Sequence, residues 1–505
     1  MASIHASERE ETPAVRVTAI EGLNPPAWLE PDEPYIYRNP TRDDRPDEDC
    51  GVFGIYSHEH EVARVTFFGL YALQHRGQES AGIATSDGNR LACSAQMGLV
   101  SQVFKEDDLG ALKGHIAIGH TRYSTTGASR VCNAQPLIVH GPAGEIALAH
   151  NGNLVNADEL RRELEAIGYP FDTTTDSEAI AALIVHAPGA TWADRIAHVM
   201  PKLIGAYSLT IATRDELIAV RDPLGVRPLC IGRMGGAWLV SSESCALDTV
   251  GAQFIREVEP GEIVSIGANG VVNRIGQAST KKAACVFEFI YFARPDSVMA
   301  GRLTYQARQE MGRQLAREQP ADADIVLAVP DSAIPAAIGY AEESGLPYRD
   351  GLIKSRYIFR TFIQPEPLMR QAGINLKFNP LPEVLKGKRV IVVDDSIVRG
   401  STTGQIVRLL RRAGAKEVHV RIHCPPFVNP CYLGIDVAKK SELIAAKMSI
   451  SEIAEHIGAD SLGFLSEDGL MRALNLPESE YCRACFNGKY PVKVDTSFDK
   501  LALEI

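Results

Sequence analysis

The 505-residue chain lacks any apolar run of the roughly 18 residues that a membrane-spanning helix needs, which excludes an ordinary helical membrane protein. Its opening residues, MASIHASEREETPAVRV, lack the basic stretch and apolar core of a secretory signal. Basic residues are in deficit. The formal net charge of -11 disfavours nucleic acid and anionic membranes as partners. Together these absences predict a cytoplasmic protein.

A phosphate-binding loop with Lys before Ser or Thr is also missing, which disfavours an ATPase. Cysteine is not scarce: the chain has 10. A large cytosolic chain keeps its thiols reduced, so disulfides are not expected. These cysteines are therefore core residues, catalysts or metal ligands, and their positions must distinguish the three.

The composition and hydrophobic pattern of the chain change twice, which divides it into three parts. Residues 1–49 are rich in Pro and acidic residues and predict a disordered leader. Residues 50–283 alternate short apolar runs and turns with helical stretches such as DSEAIAALIVH, which predicts an α+β domain with layered sheets. In residues 284–505 strands alternate with helices, the pattern of a parallel sheet, before a final stretch from Ser441 to Leu474 that reads as mostly helical.

Cys50 lies where the leader meets the first strand. If the leader is cleaved before it, one residue carries both a thiol and a free α-amine. An α-amine has a pKa of about 7.7 to 8.0 and can act as a base near neutral pH. Such a pair is a nucleophile with its own base. The alternative is that Cys50 is a small buried hydrophobe, the commoner role for a single cysteine at a strand start.

Four polar motifs follow Cys50 in order: HRGQESAGI, HTRYSTTG, HNGNL and TTDSE. Arg122 can bind the α-carboxylate of glutamine bidentately, and Asp176 can hold its α-ammonium group. The Asn151 side chain and the Gly152 N–H can form an oxyanion hole. Taken singly, HNGNL is equally well a turn and TTDSE a helix N-cap.

The stretch from Cys50 to about Glu243 resembles the glutaminase domain of the N-terminal-nucleophile amidotransferases, an αββα sandwich. The resemblance implies that Cys50 is the nucleophile. It also implies glutamine-binding roles for Arg76, Arg122, Tyr123 and Asp176, and oxyanion-hole roles for Asn151 and Gly152. This part of the chain does not identify the acceptor of the nitrogen.

The acceptor is indicated by the segment KRVIVVDDSIVRGSTTGQIVRLL. Asp394 and Asp395 follow an apolar strand. A Gly-containing loop then leads into a helix, and the N-terminus of a helix favours anions. The acids suit ribose hydroxyls and a nearby Mg²⁺. Four residues suit a 5′-phosphate: Gly400, Ser401, Thr402 and Thr403. The alternative is a solvated strand end capped by Asp.

This segment resembles the phosphoribosyl pyrophosphate signature of type I phosphoribosyltransferases. With the first domain, the chain resembles the glutamine phosphoribosylpyrophosphate amidotransferase family from Cys50 onward. The resemblance implies transfer of the amide nitrogen of glutamine to C1 of phosphoribosyl pyrophosphate, releasing glutamate and pyrophosphate, in purine synthesis. It further implies self-cleavage of the leader, a homotetramer and feedback inhibition by purine nucleotides.

The same resemblance implies a Mg²⁺ site at Ser332, Asp394 and Asp395, and a contact of Arg399 with phosphoribosyl pyrophosphate. It identifies residues 354–364 as a flap over the pyrophosphate. The cations of this flap are Lys354, Arg356 and Arg360. A solvated basic face is the alternative for that run.

Cys482 and Cys485 form a C-x-x-C pair, and Cys285 and Cys431 are candidates to complete a four-thiolate site. The spacing is compatible with Zn²⁺ or a 4Fe–4S cluster. The family subgroup with a cleaved leader carries a 4Fe–4S cluster at matching positions, so the resemblance favours the cluster. The other cysteines are predicted to be core residues: Cys93, Cys132, Cys230, Cys245 and Cys424.

The sequence fits two other functions less well. An amidotransferase that feeds a hexose phosphate or aspartate would need a sugar-isomerase repeat or an ATP-pyrophosphatase loop, and the sequence has neither. A non-catalytic regulator that senses phosphoribosyl pyrophosphate or nucleotides would not need Cys50, Arg122, Asn151 and Asp176 together.

Overall fold

Two antiparallel sheets and one parallel sheet organise the protein. The computed structural model describes residues 50–123, 130–355, 378–435 and 439–494. The predicted leader, and Arg356 and Arg360 of the predicted flap, lie outside these residues.

The antiparallel sheets use thirteen strands, in which short apolar runs are separated by turns. In chain order they are Gly51–Tyr56 (β1), Ser80–Ser86 (β2), Leu91–Met97 (β3), Ile116–Arg122 (β4), Leu137–Gly141 (β5), Gly144–Leu154 (β6), Gly205–Ala212 (β7), Leu217–Arg221 (β8), Cys230–Met234 (β9), Ala237–Ser241 (β10), Gln253–Glu257 (β11), Glu262–Gly267 (β12) and Gly270–Ile275 (β13). The first sheet has the order β11-β9-β10-β1-β4-β2-β3, and the second β13-β12-β8-β7-β6-β5.

The two sheets pack face to face because successive side chains of a strand point to opposite faces. In β1, Val52 belongs to the apolar layer between the sheets. Its neighbour Phe53 belongs to the layer under the outer helices. A Cβ on Gly69 of the first helix would lie 2.5 Å from the Phe53 ring, so that helix lies unusually close to the sheet. Helices on both outer faces complete an αββα sandwich.

The helices of this sandwich are Val62–Ala72 (α1), Val100–Val103 (α2), Glu106–Ala111 (α3), Ala157–Ala166 (α4), Asp176–His186 (α5), Trp192–Val199 (α6) and Ser244–Thr249 (α7). The predicted helix DSEAIAALIVH is confirmed as α5. The apolar faces of α4, α5 and α6 cover the second sheet.

The rest of the described chain is built around a parallel sheet. The strands of this second unit are Ala284–Cys285 (β14), Val298–Met299 (β15), Arg302–Leu303 (β16), Ile325–Ala328 (β17), Leu352–Lys354 (β18), Phe378–Pro380 (β19), Arg389–Asp394 (β20), Glu417–Ile422 (β21), Ser461–Phe464 (β22) and Tyr481–Cys482 (β23). Four of them form the parallel sheet, in the order β17-β20-β21-β22. The predicted fold class, a layered α+β sandwich followed by an α/β parallel-sheet unit, is confirmed.

The helices around the parallel sheet are Thr304–Glu318 (α8), Ile334–Ser344 (α9), Pro382–Leu385 (α10), Ser401–Arg412 (α11), Ile450–Ile457 (α12), Glu467–Leu474 (α13) and Ala484–Asn487 (α14). A π-helical turn spans Glu288–Phe292. Among the described residues, no helix combines the length and the apolar character needed to cross a membrane.

One expectation needs an addition and another needs correction. The stretch from Ser441 to Leu474 is mostly helical, as predicted, but it also contains β22, which pairs with β21 through His419–Ser461 and Ile422–Phe464. Its four residues are too few to show a strand period of their own. Cys93 and Cys132, predicted to be core residues, are exposed. Cys93 lies on β3, at the edge of its sheet.

The closest helix crossing of the second unit generates a prediction. A Cβ on Gly312 of α8 would lie 1.8 Å from the Ala336 carbonyl oxygen of α9. We expect Gly312→Ala to lower the free energy of unfolding by about 1–3 kcal/mol, because the helices must separate. The measurement is the thermal unfolding midpoint of the variant beside that of the parent chain.

Gly110→Ala is the matched control. Gly110 lies in α3 with no atom within 4 Å of its Cβ position, and alanine favours the helix by up to about 1 kcal/mol. The control should leave the midpoint unchanged or raise it. A Gly312→Ala protein at least as stable as the parent would contradict the close crossing.

Candidate active site

Cys50 directly precedes β1 and is 5 % exposed. Its Sγ donates a hydrogen bond to the Tyr123 carbonyl oxygen at 3.3 Å. This contact follows from sheet register, because Gly51 pairs with Thr121 of β4, two residues before Tyr123. The structure therefore brings the predicted nucleophile to the end of the strand that carries Arg122 and Tyr123.

Arg122 is the last residue of β4 and is buried. Its Nη1 lies 3.8 Å from Glu79 Oε2, and its carbonyl oxygen accepts a hydrogen bond from the Glu79 N–H at 3.1 Å. The guanidinium is thus held beside a carboxylate at the same sheet end as Cys50.

Asn151 and Gly152 lie in β6 of the second sheet. The Asn151 side chain is fully buried, and among the described residues neither its Oδ1 nor its Nδ2 has a hydrogen-bond partner. Leaving a buried amide unpaired costs about 1–3 kcal/mol, so such a group in a folded protein needs an explanation, of which a catalytic role is one. Gly152 has φ +150°, and a Cβ there would lie 2.0 Å from the Ala206 carbonyl oxygen. Only glycine fits this position.

A hydrogen bond between the sheets aligns these two groups of residues. His120 of β4 donates from Nε2 to the His150 carbonyl oxygen of β6 at 3.0 Å. The carbonyl can only accept, so Nε2 carries the proton. Burial lowers the pKa of His120 to about 3, which keeps the imidazole neutral. The bond therefore holds β4, which carries Arg122, next to β6, which carries Asn151.

Asp176 begins α5 beside the end of β6. Its Oδ2 accepts the Leu154 N–H at 2.9 Å, and its Oδ1 accepts the Ser177 hydroxyl at 3.3 Å. Burial alone would raise the pKa of Asp176, but His150 and these hydrogen bonds hold it below its ordinary value. The carboxylate is therefore charged at neutral pH and lies next to the strand of Asn151.

Arg76 occupies a different place from the other predicted glutamine-binding residues. It is buried, and its Nε donates to the carbonyl oxygen of Cys50 at 3.0 Å. Its Nη1 and Nη2 donate to Glu288 at 3.1 and 2.8 Å, and Nη1 also donates to Glu243. These contacts place its guanidinium behind the backbone of the nucleophile and between two carboxylates.

The predicted sugar-phosphate site lies at the carboxyl end of the parallel sheet. Asp394 ends β20 and Asp395 follows it; both are buried. Asp395 accepts hydrogen bonds from the Ser332 hydroxyl at 2.6 Å and the Ser396 hydroxyl at 2.7 Å. The structure thus brings together all three predicted Mg²⁺ residues: Ser332, Asp394 and Asp395.

The loop after Asp395 ends at Gly400, which has φ +83° and precedes α11. Ser401 is exposed at the first position of this helix, and Thr402 and Thr403 are buried in its first turn. Backbone N–H groups and the helix dipole at this end favour an anion, as the sequence predicted.

Two predicted phosphate-binding cations are paired with acids. Lys354 Nζ lies 2.8 Å from Asp331 Oδ2, next to Ser332. Arg399 binds Glu442 Oε2 through Nε and Nη2 at 3.2 and 3.1 Å. Both pairs are exposed enough for solvent to weaken them. Arg356, a third predicted cation, lies outside the described residues.

The four candidate cluster cysteines converge at the junction between the two units. Cys285 and Cys482 face each other in the parallel β14–β23 pair. Cys285, Cys431 and Cys482 border one small apolar cluster, and Cys485 is buried in the neighbouring core. Burial raises the pKa of the Cys482 thiol to about 11, and the nearby Cys431 adds to the effect. Within the described ranges, no three His, Cys, Asp or Glu side chains are arranged to hold a single metal ion.

Sequence reasoning missed four buried or partnering residues: Arg227, Glu243, Glu288 and Asp331. Glu288 lies in the apolar run VFEFIYF, where an isolated acid signals a buried, paired charge. That signal was available. The partners of Glu243 and Asp331 depend on contacts between distant segments, which the sequence pattern does not record.

Known proteins match the chain along most of its length. Residues 120–249 match a glutamine amidotransferase domain, and residues 296–433 match a phosphoribosyl transferase domain. The amidophosphoribosyltransferase of Synechococcus elongatus is 51 % identical over 92 % of this chain and 96 % of the relative. That of Methanocaldococcus jannaschii is 49 % identical over 90 % of this chain and 99 % of the relative.

Solved structures give the same answer. The glutamine phosphoribosylpyrophosphate amidotransferase of B. subtilis, complexed with ADP and GMP, is 46 % identical with a TM-score of 0.84. The match covers 89 % of this chain and 99 % of that one. The predicted function and enzyme class are confirmed. The chain belongs to the amidophosphoribosyltransferase family, the glutamine-dependent pentosyltransferases of purine biosynthesis.

Proposed function

We propose that this chain performs the family reaction at two separate sites, with Cys50 as nucleophile of the first and the Asp394–Asp395 end of β20 in the second. Residues 50–283 would form the glutaminase domain and residues 284–505 the phosphoribosyltransferase domain. The observation that carries the proposal is the unpaired, buried Asn151 amide on the strand aligned with the Cys50 site.

In the first site the Cys50 thiol attacks the carboxamide carbon of glutamine. The Asn151 Nδ2–H and the Gly152 N–H would stabilise the oxyanion that forms. The α-amine of Cys50, free once the leader is removed, would take the thiol proton and pass it to the departing ammonia. Water then hydrolyses the thioester to glutamate. Arg122, Tyr123 and Asp176 would bind the two charged ends of glutamine.

In the second site ammonia attacks C1 of phosphoribosyl pyrophosphate and pyrophosphate leaves. The N-terminus of α11 and its Thr402 and Thr403 would hold the 5′-phosphate, and Asp394 and Asp395 would accept from the ribose hydroxyls. Lys354, Arg356, Arg360 and Arg399 would neutralise phosphate charge. Water competes with ammonia, so a closed, dry passage between the sites is part of the proposal.

Asp394 and Asp395, with Ser332, fit Mg²⁺. The ion prefers oxygen ligands and is usually held by one or two carboxylates plus substrate phosphates. When bound, Mg²⁺ would neutralise the pyrophosphate leaving group.

The four junction cysteines fit a 4Fe–4S cluster. Cys285 and Cys482 are paired in register, and Cys285, Cys431 and Cys482 all lie close enough to raise the pKa of the Cys485 thiol. Ligands of a cluster surround a bulky core and lie farther apart than ligands of one ion, so the lack of a tight single-ion site is compatible with it. The cluster would cross-link the junction without taking part in the reaction.

Three further properties belong to the proposal through the family. The leader would be removed by self-cleavage, the enzyme would be a homotetramer, and purine nucleotides would inhibit it. The last point is supported by the relative solved with ADP and GMP.

The first test measures glutamate and pyrophosphate release with glutamine and Mg²⁺, with and without phosphoribosyl pyrophosphate. Both products should appear together only when every substrate is present. Cys50→Ala should abolish glutamine use and leave ammonia-dependent pyrophosphate release, and EDTA should stop that release. Equal glutamate release without phosphoribosyl pyrophosphate would contradict coupling, and loss of the ammonia reaction in Cys50→Ala would contradict separate sites.

A second prediction concerns the oxyanion hole. Asn151→Ala should lower kcat for glutamine by about 100- to 1000-fold with little change in KM, because the amide acts on the transition state. Ammonia-dependent synthesis should persist. Steady-state kinetics with each nitrogen donor give the comparison. Asn273→Ala, at an exposed position of β13, is the control. An unchanged kcat would remove Asn151 from the site.

A third prediction concerns the cluster. Protein purified without oxygen should be brown and contain about four iron atoms per chain, because four thiolates hold the 4Fe–4S form. Cys482→Ser should lower the iron content, whereas Cys93→Ser, at an exposed strand edge, should not. Iron and zinc analysis supplies the measurement. Colourless, iron-free protein that holds zinc would favour Zn²⁺ at this site.

A further inference from the structure

A five-residue π turn, Glu288–Phe292, lies between the two sites. It closes with a hydrogen bond from the Ala293 N–H to the Glu288 carbonyl oxygen at 3.1 Å. Turns of this kind occur often at functional sites. Arg308 and His423 bind carbonyl groups of this segment, and Arg76 binds the side chain of Glu288, its first residue.

The carbonyl groups of the π turn are held from the sugar-phosphate side. Arg308 of α8 is buried and donates to the carbonyl oxygens of Phe289 at 2.8 Å, Tyr291 at 2.9 Å and Ala293 at 2.7 Å. A single guanidinium therefore fixes three alternate positions of this short segment.

His423 supplies the remaining link to the sugar-phosphate site. Its Nε2 donates to the Ile290 carbonyl oxygen at 3.3 Å, and its backbone N–H donates to the Asp394 carbonyl oxygen at 3.1 Å. The backbone of Asp394 is therefore connected to the π turn through one histidine.

The side chain at the start of the π turn reaches the nucleophile. Glu288 accepts from Arg76 through both carboxylate oxygens, at 2.8 and 3.1 Å. Arg76 donates from Nε to the carbonyl oxygen of Cys50 at 3.0 Å. Glu288 also accepts from Arg227 Nη1 at 3.3 Å, and Arg227 Nε and Nη2 donate to the Leu433 carbonyl oxygen at 3.2 and 3.0 Å.

We propose that Glu288 is a positioning residue for the glutaminase reaction, and that the π turn carries the state of the sugar-phosphate site to Cys50. Arg76 is held by Glu288 and in turn holds the backbone of the nucleophile. Because Arg308 and His423 bind the carbonyls of the same turn, a shift of the Asp394 strand end moves Glu288 and Arg76 with it. This inference rests on the two-site function proposed above.

The test is Glu288→Gln, which keeps the size of the side chain and removes its charge. An amide cannot accept from Arg76 through both of its terminal atoms, so the guanidinium loses its fixed orientation. We expect kcat for the glutamine-dependent reaction to fall about 100-fold, the scale of a small misplacement of a catalytic group. KM for glutamine and the ammonia-dependent rate should stay within about twofold.

Glu262→Gln is the matched control. Glu262 is also buried and binds Arg256 through both oxygens, at 2.7 and 2.8 Å, but it lies in β12, away from the π turn. Its replacement should leave both reactions intact. Glu288→Asp, which keeps the charge, should recover part of the glutamine-dependent rate.

Arg308→Lys tests the other end of the route and replaces Glu288→Gln if that variant does not fold. A lysine cannot reach three carbonyl groups at once in a planar fork. Glutamate release without phosphoribosyl pyrophosphate should stay at the parent value, and its stimulation by phosphoribosyl pyrophosphate should fall at least about tenfold.

The outcomes separate this inference from the function on which it rests. If the parent protein shows no stimulation of glutamate release by phosphoribosyl pyrophosphate, the two-site function itself fails. If stimulation is present and Glu288→Gln retains the full glutamine-dependent rate, the positioning role is wrong. Parallel loss of both reactions in a folded Glu288→Gln protein would make Glu288 a residue of the fold alone and would also overturn the proposal, as would unchanged stimulation in Arg308→Lys.

Discussion

Two arginines and two glutamates, all buried, form the contact on which the rest of the structure depends. Arg76 and Arg227 face Glu288, and Glu243 binds Arg76. Taking charges out of water is expensive, and it is tolerated only where each charge has a well-placed partner. Here Arg76, Arg227 and Glu243 come from the antiparallel sandwich, whereas Glu288 follows it in the chain.

The same network joins the sandwich to the following segment in a second place. Glu243 also accepts from the Arg294 N–H at 2.9 Å and the Ser297 hydroxyl at 2.6 Å. Burial alone would raise the pKa of Glu243, but His75, Arg76 and the Ser297 hydroxyl hold it far below its ordinary value. Residues 288–297 thus supply partners for Arg76, Arg227 and Glu243 in the interior of the sandwich. The fold of the first unit and the site that it carries are therefore not independent of the second.

Many elements of the fold and of the candidate site could be predicted from the sequence, because they depend on local sequence patterns. The strand before Asp394, the glycine before α11 and the helix α5 each follow from residues that are neighbours in the chain. The roles of Arg76 could not be predicted in this way, because its partners Glu243 and Glu288 are 167 and 212 residues away. The strand β22 was missed for a related reason. Its four residues become a strand only because the β21 edge is available to pair with them.

The parallel pairing of Cys285 with Cys482 has a consequence for synthesis of the chain. The two cysteines are separated by about 200 residues, yet they occupy opposite positions of one two-stranded sheet. Domains generally begin to fold in the order in which the ribosome delivers them. The sandwich can therefore assemble while Cys285 is still without its partner strand, and the junction closes only when Cys482 has been made. During that interval the Cys285 thiol lacks the strand that covers it, so it can react with oxidants or bind metal ions.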